Sequence, residues 1–227
     1  MLFVIGITVF LMLLIFGPQW WVQRVLSRHS QFQDHFPGTG GELARHLLDR
    51  FGLSEVTVEA TDQGDHYDPA KKAVRLSPDK IDAKSLTAIA VAAHEVGHAL
   101  QHRENYVPLA LRTKLASLVS GAEKLGSALM LVLPVLAIVS RSPVVGALLL
   151  VAGIGSLALS VLVHCLTLPV EWDASFRRAL PILEQGYISK REQRQARTIL
   201  TAAALTYVAG SLAGLLNLWR WLAILRR

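Results

Sequence analysis

Apolar residues fall in four long runs, with one extended polar stretch between the first and the second. Leu2 to Phe16 is almost continuously apolar, and residues 1–23 carry no charge. The run ends in Pro18 and the pair Trp20-Trp21, side chains that suit a membrane interface. No basic stretch precedes it and no small-residue cleavage site follows, so it reads as an uncleaved anchor. Leu125–Ser140, Ser142–Val170 and Thr198–Trp219 are uncharged runs of 16, 29 and 22 residues. A helix of about 20 residues spans a bilayer core of about 30 Å. The shortest run reaches that length if Lys124 snorkels. The pattern therefore predicts about four transmembrane helices, the middle two forming a hairpin turned at Arg141-Ser142-Pro143.

The polar stretch has its own periodicity. Thr39-Gly40-Gly41-Glu42 is a capping box, and Leu43, Leu47, Leu48 and Phe51 follow at helical spacing until Gly52 stops the helix. Val56–Ala60 and Ala73–Leu76 read as strands, and the segment 64–69 between them is rich in turn residues. These two strands predict a small β hairpin. A helix is expected from about Ala83 to His102. The resulting division is an anchor at 1–23, a soluble part at 24–114, a transmembrane hairpin at 115–170, a polar segment at 171–200 and a C-terminal transmembrane helix at 201–227.

Composition agrees with this pattern. Of 227 residues, 52% are hydrophobic and 18% charged, against about 25% charged in an average soluble domain. Disorder is excluded, because it requires low hydrophobicity and high charge. The single cysteine, Cys165, excludes a disulfide scaffold. The net charge of +6 could suggest a nucleic-acid partner. Residues 23–114, however, hold 12 Lys/Arg and 12 Asp/Glu, so the excess lies beside apolar segments and no nucleic acid is expected. Arg24, Arg28, Arg112, Lys114, Lys124, Arg177 and Arg178 flank the runs on one side. By the positive-inside rule they place that side of a multi-pass membrane protein, which includes the polar stretch, in the cytoplasm. Arg220, Arg226 and Arg227 oppose that assignment if the last run crosses.

The chemistry centres on His94-Glu95-Val96-Gly97-His98, an HExxH motif. Residues four apart on a helix are rotated by about 40° and stacked one turn apart, so both imidazoles can reach one Zn²⁺. Glu95 lies beside them as a general base. The apolar Ile89–Ala93 before the motif and Ala99-Leu100 after it place it inside a helix. A catalytic zinc needs a third protein ligand and an open position. His102 shares the face of His94 and His98, but lies about 12 Å along the axis from His94, too far for one ion. Glu171, where the hairpin leaves the membrane, is better placed, because two crossings return it to the side of His98. A Glu from a second helix would complete a His₂Glu set; a carboxylate at a helix N-terminus explains the residue equally simply.

Several stretches resemble the YugP-like neutral zinc metallopeptidases, a family of small bacterial membrane proteins. They are Tyr67-Asp68-Pro69, Leu76-Ser77-Pro78-Asp79, Ala92–Ala99 with Gln101-His102, Leu166–Glu171 with Asp173-Ala174-Ser175, and Ala202–Ala209. The resemblance implies His94, His98 and Glu171 as zinc ligands, Glu95 as the catalytic residue, and Asp173 as a group orienting a ligand imidazole. In the broader membrane gluzincins an Asp follows the third ligand by four residues; here that position is Ser175, so the pattern fails there. His164 and Tyr207 are lesser candidates for contact with the site, and the strand at Ala73–Leu76 for pairing with an extended substrate.

The expectation is thus a mainly α membrane protein with a small α+β zincin-like soluble part, acting as a zinc-dependent endopeptidase. Its partners would be the lipid bilayer and a peptide or membrane-protein substrate. A zinc hydrolase of another amide or ester, and a non-catalytic zinc-bearing membrane scaffold, are the alternatives. The intact Glu95 argues against the scaffold, since a structural site needs no base.

Overall fold

The computed structural model describes residues 2–115 and 166–206, with isolated positions at 144, 148, 151 and 155. Helix α1 is Leu2–Arg28, α2 is Gly40–Arg50, and the strands are β1 (Thr57–Ala60), β2 (His66–Asp68) and β3 (Ala73–Leu76). Helices α3 (Pro78–Ile81) and α4 (Leu86–Arg103) follow. Residues 107–115 form α5. Residues 166–184 form α6, which is π-helical over Asp173–Ala179 and α-helical again over Leu180–Glu184. Residues 190–206 form α7.

The centre of this arrangement is α4. Every residue from Leu86 to Gln101 is buried. Ser85 caps its start, its hydroxyl accepting from the Ala88 amide at 3.1 Å. Around α4 pack α2, the sheet and α6, and together they form one core with Leu47, Leu48, Val74, Leu76, Leu183, Ile199 and Leu200. Helix α1 joins the same core through Val22 and Val25. The Thr87 hydroxyl donates to the Leu26 carbonyl at 2.8 Å, tying α1 to the first turn of α4.

The capping box is formed as the sequence predicts. The Thr39 hydroxyl accepts from the Glu42 amide at 3.2 Å, and the Glu42 carboxylate accepts from the Thr39 amide at 2.8 Å. Two amides at the helix start that would otherwise lack partners are satisfied together. Gly52, at φ 67°, takes the left-handed position just beyond α2.

The sheet corrects the predicted hairpin. Its order is β1-β3-β2, with β1 parallel and β2 antiparallel to β3. The two strands read from the sequence are neighbours, but as a parallel pair. The hairpin partner of β3 is His66–Asp68, which sequence reading treated as turn. The closing turn begins at Asp68, whose carboxylate accepts from the Ala70 and Lys71 amides at 3.0 and 3.1 Å. Polar residues before a proline look like a turn because edge strands tolerate them. With β3 in the middle, both its edges are occupied, so Ala73–Leu76 cannot pair with a substrate strand.

The expectation of a mainly α membrane protein with about four transmembrane helices is also corrected. Among the described residues, no helix is long and apolar enough to cross a membrane. They form a mostly helical unit with a small three-stranded sheet. The physical reason lies in what hydropathy reports. An apolar run signals a preference for burial and does not say what buries it: the helix that contains the first run, α1, continues into Val22 and Val25, which pack into the protein core. Most of the predicted hairpin at 115–170 and of the segment 201–227 lies outside the described residues.

Thr39→Ala, which removes the cap of α2, is expected to cost about 0.5–2 kcal/mol. Thermal unfolding of the variant beside wild type checks this, and an unchanged melting temperature would contradict it.

Candidate metal centre

His94 and His98 lie one turn apart on α4, with ring centroids 4.7 Å apart and planes at 82°. Glu171 comes from α6, which approaches α4 closely at Gly97. A Cβ at Gly97 would lie 2.9 Å from the Ala174 carbonyl oxygen and 3.3 Å from its Cα. No side chain fits there, so the glycine inside HExxH lets the helix that carries Glu171 dock. Glu171 Oε2 then sits 3.0 Å from His94 Nε2 and 3.2 Å from His98 Nε2. The ligand atoms of all three residues lie within 4.8 Å of one another, and all three residues are buried.

The hydrogen bonds behind the rings assign their protons. Gln101 Nε2 donates to the Val170 carbonyl at 2.9 Å and to Asp173 Oδ2 at 2.8 Å. Its amide oxygen therefore faces His98 Nδ1, which donates to it at 2.9 Å. Ser175 Oγ donates its single proton to the Leu200 carbonyl at 3.1 Å, so it accepts from His94 Nδ1 at 3.0 Å. With both Nδ1 atoms holding protons, Nε2 is the atom whose lone pair each ring can offer to a metal. Two lone pairs and a carboxylate oxygen then converge on one buried point, which repels unless a cation or a proton stands between them. Two imidazoles and a carboxylate are a zinc donor set, and ring N–H groups held from behind are the usual support for such ligands. The residues present therefore fit a zinc ion.

The electrostatics agree. Burial opposes ionisation of Glu171, but positive charge at the point it shares with His98 and His94, whether a ring proton or a metal ion, outweighs burial and holds the carboxyl well below its ordinary range. Glu95, buried one residue along from His94, behaves in the opposite way. Burial pushes its carboxyl up to about 7; Glu171 and Asp65 add to this, while His94 and Arg112 oppose it. Two carboxyls in one site are thus pushed apart, one held ionised and one poised to exchange a proton.

The other residues singled out from the sequence are placed as follows. Asp173 does not touch an imidazole; it acts on His98 through Gln101 and is itself held by Arg178 Nε at 2.7 Å. His102 is away from the three convergent residues, its Nδ1 sharing a 2.8 Å hydrogen bond with the Tyr67 hydroxyl. Burial pushes that phenol up to about 12. The pair lines a cavity of about 180 Å³ with Leu53, Val56 and Ala99. His66, within the segment 64–69 read as turn, is half-buried in β2, its Nδ1 donating to the Gly64 carbonyl at 2.8 Å. His164 and Tyr207 lie outside the described residues.

Sequence reasoning missed Gln101, Ser175 and Arg112. Ser175 was read as a broken match, because a carboxylate was expected there. Its position, four residues after Glu171, was the usable signal: both side chains reach the same imidazole. Gln101 stands three residues after His98 and so returns to its face of the helix. Arg112 was counted only as membrane-flanking charge; its guanidinium pairs with Glu171 Oε1 at 2.8 Å.

Elemental analysis of the purified chain is expected to find about one zinc in wild type and a large loss in Glu171→Ala. Ser175→Ala is expected to keep the fold and bind zinc about 10- to 100-fold more weakly in chelator competition. Full zinc in Glu171→Ala would remove that residue from the ligand set.

With this geometry in place, the comparisons with known proteins are direct. The family described as "Putative neutral zinc metallopeptidase" matches residues 3–226. The chain is 38% identical over 224 residues to a Bacillus subtilis (strain 168) protein named "Putative membrane protease YugP", covering 95% of each chain. No solved structure matches it. The family implies Zn²⁺ as the cofactor, in keeping with the donor set of His94, His98 and Glu171. The chain belongs to this family of neutral zinc metallopeptidases.

Proposed function

We propose that the chain is a zinc-dependent endopeptidase, with His94, His98 and Glu171 holding the metal and Glu95 as the catalytic base. The observation that carries this reading is the convergence of two Nε2 lone pairs and one carboxylate oxygen beside a buried, protonatable glutamate. The chemistry that bound zinc supplies in such a site is Lewis-acid activation of a carbonyl and of water.

The chain's own residues do the rest. Ser175 and Gln101 hold the two rings in the tautomer and orientation that keep Nε2 available. Glu95 takes the proton from the attacking water and passes it to the leaving amine nitrogen. A carboxyl raised to about 7 accepts and returns a proton near neutral pH more readily than an ordinary glutamate. Among the described residues three ligands converge, whereas a purely structural zinc site closes with four. This favours catalysis over a scaffold role.

The substrate is proposed to be a peptide or a membrane protein, and the site of action a bacterial membrane. The name of the Bacillus relative supports this. So do Phe10, Leu13, Phe16 and Trp20 of α1, all large, apolar and exposed.

Glu95→Gln is expected to retain wild-type zinc content and lose about 10²- to 10⁴-fold in turnover of a quenched fluorescent peptide library. A zinc-loaded Glu95→Gln protein as active as wild type would remove Glu95 from the mechanism.

A further inference from the structure

Glu171 is the most constrained group in the site. It is 1% exposed, so no solvent shell can satisfy its second oxygen. Oε2 faces both imidazoles. Oε1 faces the guanidinium of Arg112, with Nη1 at 2.8 Å. Among the described residues it accepts no hydrogen bond, so the charge of Arg112, in ion-pair contact, is what faces it.

Arg112 reaches that point from a separate element. After α4 the chain turns through Asn105, at φ 52°, and the Tyr106 amide donates to the Gln101 carbonyl at 2.9 Å. Helix α5 then starts, with Leu109 buried as its anchor. Arg112 lies one turn further on, 17% exposed at its side chain. The residue that follows the HExxH helix in sequence thus returns to hold the carboxylate delivered by α6.

A carboxylate can offer a metal one oxygen or two. A catalytic zinc takes three protein ligands and leaves a position open. If both oxygens of Glu171 turned toward the ion, the second would compete for that position. A permanently charged arginine on Oε1 opposes that turn, because turning Oε1 to the metal would break an ion pair at a carboxylate that is 1% exposed. We propose that Arg112 is a positioning residue that commits Glu171 to a single-oxygen contact with the metal and so keeps the fourth position free. This rests on the zinc reading above, but makes a separate demand on it.

The test uses the full chain loaded with Co²⁺ in place of zinc, whose visible bands are intense in four-coordinate sites and weaken when a fifth donor arrives. Wild type is compared with Arg112→Gln, with Arg112→Met, which keeps the aliphatic stem without the charge, and with Arg112→Lys. Wild type is expected to show the intense bands. Arg112→Gln and Arg112→Met are expected to bind cobalt with clearly weakened bands, and zinc about 10- to 100-fold less tightly in chelator competition. Arg112→Lys, which returns a cation to Oε1, is expected to recover band intensity. A merely structural role for Arg112 would lower the melting temperature and leave the bands of bound cobalt unchanged. Wild-type bands and wild-type zinc affinity in whichever uncharged variant folds would overturn the proposal. Failure of wild type to take up cobalt or zinc would instead sink the metal site itself.

Discussion

A carboxylate buried between two imidazoles and a guanidinium is the constraint on which the rest of the site depends. Glu171 stays ionised at that depth only because positive charge faces it. Arg112 supplies one side; the point where Oε2 meets the two Nε2 atoms requires a cation on the other. The elements of the fold can be read as ways of bringing these four groups together. Helix α4 carries the two histidines through the middle of the core. Gly97 removes the side chain that would hold α6 away. The turn at Asn105 sends α5 back over the site.

The supporting hydrogen bonds extend that constraint outward. His94 is held through Ser175 to a carbonyl of α7, and His98 through Gln101 to a carbonyl of α6 and to Asp173. Asp173 is paired with Arg178, which also reaches Glu104 beyond the end of α4 at 2.9 Å. The π-helical stretch Asp173–Ala179 supplies Asp173, Ser175 and Arg178 to this network. Asp173 and Arg178 are five residues apart, the spacing of a π-helical hydrogen bond, and their 2.7 Å contact lies along that turn. The irregular helix is therefore part of how the site is built. Both imidazoles are supported by neutral acceptors, a hydroxyl and an amide, where an anionic partner on either ring would add negative charge to a site that already holds two carboxyls.

The division between what was legible in the chain and what was not follows from the range of the interactions involved. HExxH declares itself because its chemistry is local: the rise and twist of a helix fix the relation of His94, Glu95 and His98 whatever surrounds them. The capping box at Thr39–Glu42 and the left-handed residue Gly52 are local in the same way. Composition alone excluded disorder and a disulfide framework; HExxH pointed to zinc, and the order of the apolar runs put Glu171 forward as a third ligand before the resemblance implied it.

Only the tertiary structure could decide the rest, because each remaining feature depends on residues far apart in the chain. Strand pairing is one case. Thr57–Ala60 and Ala73–Leu76 are strands by propensity, but whether they pair parallel or antiparallel depends on where His66–Asp68 goes. The medium around an apolar stretch is another, since hydropathy records a preference for burial and Val22 and Val25 at the end of α1 meet it within the protein core. The tautomers of His94 and His98 are a third. They are set by Ser175, 81 residues from His94, and by the contacts of Gln101 with Val170 and Asp173, 69 and 72 residues away. A residue's type reveals which bonds it can make; only the packing of α4 against α5, α6 and α7 determines which of them it makes.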